Sequence, residues 1–227
     1  MITTWPAPGS HAGAPEFAAA IDRGRRARLL IVPPLFDEMN RTRRLLVRTM
    51  RGIDAQGIDS FMPDLPGTNE SGQPFASQSL HGWRQAMAVA AKHFGATCVL
   101  AVRGGALVFP NVLPGWVLEP AAGASVLRQL LRARVIAARE AGLREDSALL
   151  LEFGRNEGLM LAGYDVGAAL IAGLESARPL DEGQREIRVA DLGGAAPWLR
   201  AEPGDDPAQA ARLTAILAGG IAGWIAA

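Results

Sequence analysis

Leu29-Leu30-Ile31-Val32 is a continuous apolar run halted by Pro33-Pro34. A strand with one wet face alternates apolar and polar residues, whereas an unbroken branched run is buried on both faces, as in a parallel sheet. Parallel neighbours need a long crossover, usually a helix. The next residues supply one. Met39, Thr42, Leu46, Met50 and Ile53 share one helical face, Arg41, Arg44, Arg48 and Arg51 share another, and Gly57 closes the segment.

The same unit recurs along the chain. Strands are predicted at residues 58–62, 97–102, 116–119, 159–164 and 186–192, and helices at 80–94, 125–141, 167–176 and from about Asp206 to Trp224. In the 125–141 helix, Val126, Leu127, Leu130, Leu131, Val135 and Ile136 are expected to face inward. Asp206 followed by Pro207 reads as an N-cap and first helical residue. This alternation predicts a doubly wound, mostly parallel α/β sheet of about six strands. Residues 1–27, rich in Ala, Gly and Pro, read as an irregular lead-in with no N-terminal hairpin, and 28–227 as a single domain.

Composition narrows the chemistry. The 227 residues carry three histidines and one cysteine, which excludes an intrachain disulfide and a Cys-rich metal site. His11, His81 and His93 are too scattered to suggest a metal site, so neither metal nor cofactor is expected. Twenty-three basic residues balance 23 acidic ones, which argues against nucleic acid as a partner. The N-terminus lacks the basic and apolar pattern of a signal peptide, so a cytoplasmic location is expected. Residues 213–227 are too few to span a bilayer. Their large members, Leu213, Ile216, Leu217, Ile221, Trp224 and Ile225, form one stripe, which suits a docked C-terminal helix. The Ala and Gly back of that helix leaves a homodimer contact open.

In a doubly wound sheet, ligands sit beyond the carboxyl ends of the strands. There the chain offers Cys98-Val99-Leu100-Ala101-Val102-Arg103-Gly104-Gly105-Ala106: a buried strand, one polar residue, then a glycine pair suited to a tight turn into a helix. This is the layout of the nucleophile elbow of α/β-hydrolases, G-x-S-x-G. Here the five residues are Ala101-Val102-Arg103-Gly104-Gly105. Arginine stays protonated and has no lone pair to attack with. The hydrolase base, a histidine late in the chain, is also missing, since none follows His93. A Ser-His-Asp mechanism is excluded.

From about Arg28 onward the chain resembles the exosortase A system-associated hydrolase 2 proteins, an α/β-hydrolase-like group of exopolysaccharide-producing bacteria. The resemblance rests on residues 32–40 (VPPLFDEMN) followed by Arg43-Arg44, on 101–107 (AVRGGAL), on 117–120 (VLEP) and on 161–164 (LAGY). It departs in the absent hairpin start and in Glu119, where glutamine is usual. The resemblance implies an α/β-hydrolase-like fold with a reduced lid, arginine at the elbow, residues 33–38 in place of the oxyanion loop, and a link to exopolysaccharide production.

The candidate ligand-binding residues are therefore Arg103, Gly104, Gly105, Leu35, Phe36, Asp37, Glu38 and Glu119, and no catalytic residue is assigned. A guanidinium fork, glycine N–H groups and a helix N-terminus would favour a small anionic or acyl ligand. The competing expectation is that Arg103 pairs with Asp37, Glu38 or Glu119 and plugs the site, because a buried unpaired arginine is very unfavourable. Two other functions stay open: a hydrolase or transferase using those carboxylates as acid and base, and a dimeric structural subunit. Cys98 reads as a small core residue.

Overall fold

The computed structural model describes residues 1–9, 15–179, 183–200, 202 and 204–226, with side chains of the last helix as far as Trp224. His11 and the side chain of Ile225 lie outside the described residues. In chain order the elements are β1 (Ile2–Trp5), β2 (Glu16–Ile21), β3 (Arg28–Val32), α1 (Asp37–Asp54), β4 (Asp59–Pro63), α2 (Leu80–His93), β5 (Cys98–Val102), β6 (Gly115–Leu118) and α3 (Gly123–Glu140). Then come α4 (Ser147–Glu157), β7 (Leu159–Leu161), β8 (Tyr164–Val166), α5 (Ala168–Ser176), β9 (Arg185–Ile187), α6 (Val189–Leu192) and α7 (Pro207–Ala226).

Seven strands form one mixed sheet in the order β1-β2-β4-β3-β5-β6-β9, and β7 and β8 pair separately. From β4 to β9 all neighbours are parallel. The apolar run 29–32 lies in the middle, and all four residues are fully buried. Two apolar layers cover the sheet, one built with α2, α3 and α5 and the other with α1 and α7. In the second, Leu46, Met50 and Ile53 pack with Leu213, Leu217 and Ile221. Burial of each such side chain contributes about 2 kcal/mol. Where the two helices cross, Gly52 leaves room for the Thr214 side chain and nothing larger than hydrogen fits. Ala211, Ala215, Gly219 and Ala222 of α7 stay exposed.

The start of the chain corrects the expectation of an irregular lead-in. β1 and β2 form an antiparallel pair, with Ile2 opposite Ala19 and Trp5 opposite Glu16, and β2 joins β4. Trp5 is 1% exposed and its indole N–H donates to Phe17 O at 3.2 Å. The sheet therefore gains two strands at this edge, where antiparallel pairs are common in mixed sheets, and it counts seven because residues 159–164 pair outside it.

Three further differences have local causes. The predicted strand 159–164 is a hairpin, because Ala162 and Gly163 both adopt positive φ, 48° and 86°, the geometry of a tight two-residue turn. The predicted strand 186–192 ends at Ile187, after which Asp191 accepts the Arg188 N–H at 2.8 Å and starts the short helix α6. Ile136 does not face inward, being 49% exposed. Asp206 does cap α7, with its Oδ1 accepting the Gln209 N–H at 3.1 Å. No helix among the described residues is long and apolar enough to cross a membrane.

Candidate functional site

Strand register brings three loops together at the carboxyl edge of the sheet. Val32 pairs with Ala101 and Val102 pairs with Leu118, so residues 33, 103 and 119 leave the sheet at neighbouring points. Each loop contains a non-glycine residue in the left-handed region: Phe36 at φ 56°, Arg103 at 53° and Glu119 at 44°. Such conformations cost about 1–3 kcal/mol each and persist where surrounding structure enforces them. Arg103 thus keeps the strained backbone of a nucleophile elbow. The turn that follows is a six-residue 3-10 helix, Arg103–Val108, shorter than the helix expected there. Pro110, which lacks an N–H, closes the route to a longer one.

The Arg103 guanidinium is held from three sides. Nε and Nη2 donate to Oε2 and Oε1 of Glu38 at 3.1 and 3.2 Å, and Nη1 donates to the Glu119 backbone carbonyl at 3.0 Å. The Trp198 ring lies 4.8 Å from the guanidinium carbon and completes the cover. Side-chain exposures of 15% for Arg103 and 16% for Glu38 make this a mostly buried, bidentate pair. Among the three carboxylates expected near Arg103, Glu38 is its partner. Asp37 pairs instead with Arg41 one turn along α1. Glu119 turns its Oε1 to the Val189 N–H at 2.8 Å.

Above this plug lies a slot of ≈ 290 Å³. Leu35, Phe36, Asp37 and Glu38 line it as expected, but Arg103, Gly104, Gly105 and Glu119 do not. Gly104 packs beneath Leu35 and Val126, and Gly105 against the carbonyls of Val32 and Pro33. The other walls are Arg41 of α1, Val126, Gln129, Leu130 and Ala133 of α3, Ala162 of the hairpin turn, and Trp198 and Leu199. Sequence reasoning missed these walls because they come from segments far apart in the chain. Only the Ala162 wall has a local marker, the Gly163 beside it. Among the described residues, neither the Leu35 nor the Phe36 N–H donates to a protein acceptor.

An aromatic cluster supports the slot from behind. Phe36 meets Tyr164 and Trp83 edge to face, with ring centres 5.2 and 6.2 Å apart, and Phe75 touches all three. Such contacts fix Phe36, and through it the entry to α1. Burial, with the Asp37 charge beside it, raises the Tyr164 hydroxyl above the usual phenol range. At the next strand end, burial raises the Asp64 carboxyl, while the Asn69 amide donates to it at 2.5 Å.

The strand order, the elbow and the segment between β6 and β9 define an α/β-hydrolase fold. Solved structures agree. Est1E from Butyrivibrio proteoclasticus superposes with a TM-score of 0.54 at 14% identity, covering 78% of this chain and 75% of its own. The bottromycin epimerase BotH matches with a TM-score of 0.52 at 15% identity over 97% of this chain and 98% of its own. Alpha/beta hydrolase domain-containing protein 10 from mouse gives 0.50 at 12% identity, covering 77% and 69%. No protein-family model and no curated protein matches the chain.

Proposed function

We propose that this α/β-hydrolase-fold protein is a binding protein without serine-hydrolase chemistry, and that its slot takes a small acyl ligand. The observation that carries the reading is Arg103 at the elbow, paired with Glu38 rather than free. An anion would have to displace Glu38 to reach the Arg103 fork, or compete with Asp37 and the Trp198 carbonyl for Arg41, whereas an acyl chain meets apolar walls at Leu35, Phe36, Val126 and Leu130. The free N–H groups of Leu35 and Phe36 suit the ligand's carbonyl oxygen. The carboxylate acid–base alternative is weaker, since Asp37, Glu38 and Glu119 all accept from protein donors. Hydrolysis is not tied to the fold, since the similarly folded BotH is an epimerase. Following the family resemblance, we assign the bound ligand to exopolysaccharide production associated with an exosortase.

The test pairs turnover with binding. Purified protein is assayed with p-nitrophenyl acetate and butyrate, then titrated calorimetrically with butanoate, hexanoate and their amides. The reading predicts no turnover, and binding that Ala133→Trp abolishes by filling the slot. Ester cleavage that tracks the protein, or binding indifferent to Ala133→Trp, overturns it.

A further inference from the structure

A second groove, of ≈ 810 Å³, runs along a different face of α3, between that helix and α4. Its apolar walls are Leu131, Val135 and Ile136 of α3 and Leu151 of α4, with Ser125, Gln129 and Ser147 among its polar ones, and no Asp or Glu lines it. Two arginines do, Arg128 and Arg132, four residues apart and so on the same side of the helix. Arg128 spends one N–H on Ser125 Oγ at 2.8 Å. Arg132 makes no ion pair or side-chain hydrogen bond with any described residue. Both cations are exposed and neither faces a carboxylate partner among the described residues.

The order of these residues along α3 decides what fits. Ser125, Arg128 and Arg132 occupy the N-terminal part, and Val135 and Ile136 the part beyond. Leu131 lies between the two arginines, but the positive charge of the lining is confined to this one end of α3, the end nearer the positive pole of the helix dipole. A bound amphipathic helix would need polar and apolar surface divided side to side along its whole length. A single-chain amphiphile, with its charge at one end and its alkyl tail at the other, matches the gradient. From residue 125 to 136 the helix rises about 16 Å at 1.5 Å per residue. With C–C bonds near 1.5 Å, roughly a dozen carbons of an extended alkyl chain cover that length.

We infer that the groove between α3 and α4 binds a monomeric long-chain anionic amphiphile, its carboxylate or phosphate on Arg128 and Arg132 and its tail against Val135, Ile136 and Leu151. The groove shares Gln129 with the slot, whose other α3 walls are Val126, Leu130 and Ala133.

Calorimetric titration of the full chain with dodecanoate below its micelle threshold tests the assignment. A saturable site is expected, with affinity rising from octanoate to dodecanoate and levelling off at hexadecanoate. Arg128→Gln/Arg132→Gln should weaken dodecanoate at least about tenfold, because charge-assisted bonds to the head are lost. Ile136→Asp, a change at an exposed position, should weaken it comparably. Binding that survives both variants, or that Ala133→Trp removes instead, overturns the groove assignment without touching the slot proposal. Flotation with phosphatidylglycerol vesicles in the absence of dodecanoate binding makes the face a bilayer contact and overturns it too. So does a concentration-dependent dimer in sedimentation that Ile136→Asp abolishes.

Discussion

Arg103 and Glu38 face each other through two N–H···O bonds of 3.1 and 3.2 Å, closing the position where an α/β-hydrolase holds its nucleophile. Trp198 covers the guanidinium and both side chains are mostly buried, so each partner depends on the other to justify its burial. Glu38→Gln, which leaves the guanidinium facing a neutral amide, should lower stability by about 2 kcal/mol. The double variant Arg103→Leu/Glu38→Leu should recover most of that, since apolar pairs of similar size replace buried ion pairs well. Urea unfolding midpoints compare the three proteins, and a double variant weaker than Glu38→Gln would count against the pairing.

Gly105→Ala should cost about 3 kcal/mol. A Cβ there would run into the backbone carbonyls of Pro33 and Val32, which cannot swing aside as a side chain can. Thermal unfolding provides the measurement, and a melting temperature within a degree or two of the parent would contradict the packing.

Cys98 is 1% exposed, and burial pushes its thiol up from 9.0 to about 12. Roughly a thousandfold less thiolate is then present at neutral pH than for an unperturbed thiol. The native protein should be inert to Ellman's reagent and release one equivalent of thiol in urea. Rapid modification under native conditions would show the strand to be open.

Acid should act first at the amino ends of the strands. The Arg28 hydrogen bonds to Asp22 lower its carboxyl from 3.8 to about 2, and hydrogen bonds from Arg23 and Arg25 lower Asp54. A depressed carboxyl stabilises above its unfolded pKa and loses that contribution as pH falls through the folded one. Stability should therefore decline between about pH 4 and 2. In Asp22→Asn the decline should be shallower, as read from urea midpoints at each pH.

Asp64 carries the opposite sign. Burial raises its carboxyl, so the folded state holds the proton more tightly and loses stability as pH rises above the unfolded value. Asp64→Asn, which can still accept from the Asn69 amide, should raise the melting temperature at pH 7 and change it little at pH 3.

The central sheet was legible because runs such as 29–32 and 98–102 are apolar on both faces, a pattern that depends only on local sequence. The N-terminal pair was not. Its second strand, EFAAAI, has small side chains and no strong alternation, and it becomes a strand by pairing with β4. The 159–164 segment looked continuous because alanine at Ala162 gives no hint of positive φ. At the site, the elbow and the candidates 35–38 were visible as sequence. The choice of Glu38 over Glu119 was not, because it depends on register: Arg103 and Glu119 exit side by side, so the arginine reaches the Glu119 main chain while the Glu119 side chain turns toward Val189.

The close seating of Gly105 on Pro33 has a mechanical consequence. With no atom to spare between them, the elbow turn and the loop after β3 form one rigid floor. Widening of the slot for a guest would then fall to its other walls, among them the Ala162-Gly163 turn and the segment around Trp198. A guest in the proposed slot would therefore pass residues far along the chain from the elbow at Arg103.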